Sequence, residues 1–85
     1  DVSVEEMEDF AVRIYPNPTN GLLNIELEEG IDQMLIVSMS GTVIQIENSL
    51  NAGMNTVDLN DLASGTYVLQ FIKGEEVFTK RIIKQ

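Results

Sequence analysis

The sequence predicts an all-β fold: a small immunoglobulin-like antiparallel β-sandwich of about seven strands. Three observations carry this. Apolar and polar residues alternate with a period of two, most cleanly over Leu22–Glu28, where Leu23, Ile25 and Leu27 take one face and Asn24, Glu26 and Glu28 the other. Turn-forming residues recur roughly every 8–12 positions. No stretch sustains the 3.6-residue period of an amphipathic helix. Eighty-five residues make one domain, and a chain of that size buries roughly 60–65% of its unfolded surface, enough for a single core but not for a deep cleft. The chain has no cysteine and no tryptophan, so the inter-sheet disulfide and core tryptophan of antibody domains are missing.

Taken in order, Asp1–Asp9 reads as an acidic linker: Val2, Val4 and Met7 fit neither period, and the acids favour solvation. The folded domain is expected over residues 10–85. Its first strand is Phe10–Tyr15, with Phe10, Val12 and Ile14 on one face. Pro16 and Pro18 follow. Each biases the residue before it, Tyr15 and Asn17, towards extended backbone, and each lacks an amide donor, so this segment cannot lie within a central ladder. Asn20-Gly21 is then expected to reverse the chain through a left-handed-tolerant turn into Leu22–Glu28.

After Glu29-Gly30 comes Ile31–Met39. Its run Met34-Leu35-Ile36-Val37 is apolar on both faces, which predicts a central strand covered on both sides. Ser40-Gly41 signals a tight hairpin into Thr42–Glu47, and Asn48–Gly53 reads as a polar loop. Met54–Leu59 is the fifth strand, followed by the turn-rich Asn60–Gly65. Thr66–Ile72 places Tyr67, Leu69 and Phe71 on one face, with the Tyr67 hydroxyl expected to find a partner at the rim. Lys73-Gly74 turns the chain into Val77–Lys84, where Lys80 and Lys84 share a face with Phe78 and Ile82. Met34, Met39 and Met54 are expected as core filler.

Composition excludes several function classes. With no histidine or cysteine, imidazole acid–base catalysis, thiol nucleophiles and thiolate metal sites are ruled out. A net charge of −9 argues against nucleic acid and anionic membrane surfaces as partners. No apolar run reaches the ~18–20 residues that span a bilayer, so membrane insertion is not expected. The chain begins at Asp1 without a signal peptide and reads as a piece of a longer protein. Asp58, Asn60 and Asp61 form an oxygen-rich cluster of the type calcium uses, but Asx turns ending a strand explain the same residues. Glu26, Glu28 and Glu29 read as a solvated face rather than a glycosidase pair. Nothing in the spacing of Ser38, Ser40 and Lys80 builds a serine–lysine dyad. No catalytic, cofactor-binding or metal-ligating set emerges, and no enzyme activity is expected.

The motifs have a recognisable order: Tyr15-Pro16-Asn17-Pro18-Thr19-Asn20-Gly21-Leu22-Leu23, then Gly41 in a hairpin, then Leu59–Tyr67 with its Gly65-Thr66-Tyr67, then Lys80-Arg81-Ile82-Ile83-Lys84. Over about residues 11–85 this resembles the C-terminal sorting domain of proteins exported by the type IX secretion system of Bacteroidetes. The resemblance implies an immunoglobulin-like sandwich at the C-terminus of a larger exported cargo. It would be read by the outer-membrane translocon and usually removed upstream of the fold by a sortase-like peptidase. It would pass through the periplasm and send its cargo to the cell surface or the medium. The motif residues it implies are Pro16, Asn17, Pro18, Gly41, Gly65, Tyr67, Lys80 and Lys84. Ser38-Met39-Ser40-Gly41 departs from the family, whose members often carry an aspartate near this glycine. The competing reading is a structural or carbohydrate-binding accessory module, for which Tyr15 is the obvious exposed aromatic.

Overall fold

The computed structural model describes residues 11–85. Seven strands follow one another: β1 (Val12–Tyr15), β2 (Leu22–Leu27), β3 (Ile31–Ser38), β4 (Val43–Leu50), β5 (Gly53–Asp58), β6 (Gly65–Lys73) and β7 (Glu76–Lys84). They form two antiparallel sheets, ordered β1-β2-β5 and β4-β3-β6-β7. This is the expected sandwich, with the fourth strand joining the sheet of β3, β6 and β7. The linker expected over 1–9 and the Phe10 start of the first strand lie outside the described residues.

Alternation builds the core as the sequence predicts. Leu23, Ile25 and Leu27 from β2 meet Tyr67, Leu69 and Phe71 from β6, with Met34, Ile36, Val57, Leu59 and Ile82 filling the space between. Burying a Leu, Ile or Phe side chain contributes about 1.5–3 kcal/mol, so this two-layer core is the main stabilising feature.

Several expectations need correction. β4 runs on through Asn48 to Leu50 instead of ending in a loop, because Gln33 Nε2 donates to Asn48 Oδ1 (3.1 Å) and Leu50 pairs with Ile31. β3 is central, between β4 and β6, but only its inward side is covered by another layer of the described residues. Its outward residues, Leu35 and Val37, are shielded by their neighbours on the same sheet. Of the methionines expected in the core, only Met34 is there. Met39 falls in the β3–β4 hairpin, and Met54 points outward from β5, where its Sδ accepts from the Tyr15 hydroxyl at 3.7 Å. Gly21 turns without a positive φ. The space is tight instead: a Cβ there would meet the Asn60 side-chain amide, which would have to move. Gly41 does need its freedom: it sits at φ 96° and closes a hairpin in which Ser38 N–H donates to Thr42 O at 2.8 Å.

Candidate functional site

Pairing registers bring most of the sequence motifs to one pole of the sandwich. The end of β1, the start of β2 and the end of β5 meet there, because Tyr15 pairs with Asn24 and Leu22 with Asp58. On the other sheet, Ser38 pairs with Tyr67 and Gly65 with Lys84, so the Gly41 hairpin, the start of β6 and the end of β7 share that pole. Residues 16–21, 38–42, 59–67 and 81–85 are thus neighbours. Lys80 stands apart, paired with Leu69 in mid-strand.

At the centre is a latch between the proline segment and the free edge of β7. Both Tyr15-Pro16 and Asn17-Pro18 are cis. Asn17 turns its side-chain amide onto the β7 backbone. Ile83 N–H donates to Asn17 Oδ1 at 2.9 Å, and Asn17 Nδ2 donates to Arg81 O at 3.2 Å. A side-chain amide carries both a donor and an acceptor, so it satisfies an edge as a paired strand would. Thr19 continues the line through its backbone: its N–H donates to Ile83 O (2.9 Å), and Gln85 N–H donates to Thr19 O (2.8 Å). Among the described residues, the strand-like pairing of this segment is the short parallel bridge of Thr19 with Lys84. Edge strands attract foreign strands unless covered, and this segment covers the last part of β7.

Thr19 was not singled out by the sequence reading, yet its side chain is fully buried. Its Oγ1 donates to Leu22 O at 2.6 Å and accepts from Gly21 N–H at 3.1 Å, which fixes the turn into β2. The signal in the sequence was the hydroxyl two residues before a glycine, a turn-forming pattern.

The loop after β5 is tied down from two sides. Asn60 N–H and Nδ2 both donate to Asp58 Oδ1 (2.8 and 2.7 Å), forming the expected Asx turn and engaging that carboxylate locally. The Tyr67 hydroxyl donates to Ala63 O at 2.7 Å, four residues upstream, the geometry of a tyrosine corner. Lys84 is also buried, with its ammonium donating to Leu62 O (3.2 Å) and Gln85 O (3.1 Å). Lys84 thus pins the loop to the last strand. Gly65 starts β6 at φ 155°.

Lys80 is half-buried and makes no ion pair or side-chain hydrogen bond among the described residues. Ser38 and Ser40 direct their hydroxyls at each other (2.8 Å) and at the hairpin backbone, where Thr42 N–H donates to Ser38 Oγ. Tyr15 is partly exposed, but the Arg13 guanidinium lies 5.9 Å from its ring centroid and covers one face.

Residues 13–85 match the family of secretion system C-terminal sorting domains. The chain belongs to that family. No curated protein matches it. A sorting domain of this family is a C-terminal signal for type IX secretion. It is linked to an upstream cargo and directs export towards the cell surface or the extracellular space. In this sorting domain, the motif residues Asn17, Gly41, Tyr67 and Lys84 do structural work at one pole.

Proposed function

We propose that the pole formed by residues 16–21, 38–42, 59–67 and 81–85 is the surface the type IX translocon reads, and that the cargo is tethered at the opposite pole. One observation supports this most directly. Ala11, the first described residue, lies beside Glu28 at the far end of the three-stranded sheet, with Glu28 N–H donating to Ala11 O (3.5 Å). A cargo attached upstream therefore leaves from the end remote from the motifs. Most motif residues are engaged in holding the pole together, so the exposed groups on it, such as Pro16, Pro18 and Asn20, are what a partner meets. Lys80, outside the pole, offers a further charge with no ion pair among the described residues.

In this reading the domain is a non-catalytic address. A sortase-like peptidase removes it by cutting within the acidic residues 1–9, after the cargo has crossed the periplasm and the outer membrane. The test is a reporter carrying an N-terminal signal peptide fused ahead of residues 1–85 in a type IX-competent host. Surface or extracellular reporter is expected, with the cut mapped by mass spectrometry to the acidic stretch. Reporter retained in the periplasm refutes the address. A cut inside residues 11–85 refutes the assigned processing segment. An accessory carbohydrate-binding role is less well supported, because Arg13 occupies one face of the Tyr15 ring that a sugar would stack on.

A further inference from the structure

The four-stranded sheet has an outer face that the chain leaves uncovered. By the two-residue period, Tyr67, Leu69 and Phe71 of β6 point into the core, so Val68, Gln70 and Ile72 point out, level with Val37, Leu35 and Gln33 of β3. On β4 the register slips between Ile36 and Val37, so Val43 and Ile44 together oppose Val37, as in a β-bulge. The bulge turns both towards the outer face, where Ile46 already lies opposite Leu35. Val43, Ile44, Ile46, Val77 and Ile83 are each 42–57% exposed, and all stand on this one face. The outer face of the three-stranded sheet also exposes Tyr15, Leu22 and Met54, but sets them among Arg13, Asn24, Glu26, Thr56 and Asp58.

We propose that this face binds a second copy of the same chain, face to face. Charge and area select that occupant. The protein carries fourteen acids and a net charge of −9, yet no acid pairs beside Val43, Ile46, Val68, Val77 or Ile83, and Asp32, exposed at the start of β3, is taken up by the Gly74 N–H. Two copies therefore meet here without opposing carboxylates, whereas contact through the other faces brings like charges together. The one charged side chain at an outward position is Arg81, on the edge strand. A two-fold axis along the strands sets it over the β4 edge of the other copy, clear of its own mate. Such a largely apolar face, with the uncharged Gln33, Asn48, Gln70 and Thr79 among its outward residues, is self-complementary, as an isologous contact requires.

Four strands ~4.8 Å apart and about eight residues long, at ~3.4 Å per residue, present roughly 500 Å². The dimer then buries about 1,000 Å², the lower limit for a specific interface. Association is accordingly weak, with Kd between about 10 μM and 1 mM.

Sedimentation velocity of the 85-residue chain from about 20 μM to 1 mM tests this. The weight-average sedimentation coefficient should rise with concentration, and more steeply in 500 mM than in 150 mM salt, because screening weakens the mutual repulsion of two acidic bodies. Ile46→Glu should weaken association at least tenfold with the melting temperature held. Met54→Glu, on the other sheet, should leave association unchanged. A monomer at every concentration in both salts overturns the proposal, as does association lost in Met54→Glu and kept in Ile46→Glu. Methyl NOEs from Ile46 to residues 1–10 in a monomeric chain overturn it in favour of the chain's own leading segment.

Discussion

Replacing Asn17 with alanine tests the latch at its most exposed point. Asn17 contributes two hydrogen bonds to the β7 edge, at 2.9 and 3.2 Å. Each is worth a net 0.5–1.5 kcal/mol or so, with exposed bonds at the low end because water competes. The two backbone bonds of Thr19 to Ile83 and Gln85 remain in the variant, so the strand edge does not detach altogether. The expected loss is therefore about 1–2 kcal/mol, and at ~4–8 °C per kcal/mol for a domain of this size the Tm falls by about 5–15 °C. Asn17→Asp keeps the acceptor for Ile83 N–H but points a carboxylate oxygen at Arg81 O, so it should lose at least as much. Urea unfolding measures the cost, and amide hydrogen exchange locates it: the Ile83 amide should lose protection while the Leu69 and Phe71 amides keep theirs relative to global stability. An unfolding midpoint equal to wild type with Ile83 protection unchanged would refute the side chain's role and leave Thr19 as the whole latch.

Other residues at the pole give separable outcomes. Thr19→Val preserves shape but removes the bonds to Leu22 O and Gly21 N–H, and should cost about 1–3 kcal/mol in urea unfolding; Thr19→Ser should recover most of it. Lys84→Met should cost about 1–3 kcal/mol through the lost bond to Leu62 O. Lys80→Met should change stability by less than about 0.5 kcal/mol, so an export defect in that variant with an unchanged Tm marks Lys80 as a contact of the translocon. Gly21→Ala should cost about 1 kcal/mol by displacing the Asn60 amide, and a Gly21→Ala/Asn60→Ala double variant should lose less than the sum of the single variants.

What the sequence revealed and what it concealed follow from the range of the interactions involved. Period-two alternation is local, so the inward faces of β2, β6 and β7 could be read directly, down to Lys84 sharing its side with Ile82. The tyrosine corner was legible in part, because Tyr67 lies on the inward face next to a turn and a buried hydroxyl needs a partner; which carbonyl it meets depends on how the loop folds back. The latch was not legible. Asn17 looked like a spacer residue because its partners lie 64 and 66 residues away. Asn48-Ser49-Leu50 has the composition of a loop, and only pairing with β3 makes it strand. The apolar run in β3 predicts cover on both sides, because composition does not say whether a second layer exists. Gly21 showed the right residue for a different reason: close packing against Asn60 rather than backbone freedom.

The latch also bears on synthesis. A ribosome makes residues 16–19 long before residues 81–85, and the two stretches hold each other in the finished domain. A nascent chain that stops before Ile83 already contains Pro16-Asn17-Pro18 but lacks the strand edge that Asn17 and Thr19 grip, and it also lacks Lys84 to pin the Leu62 loop. The pole thus forms only once residues 81–85 have joined the chain. A chain cut short before residues 81–85 keeps the proline segment but lacks the strand edge that holds it, so it cannot assemble the pole.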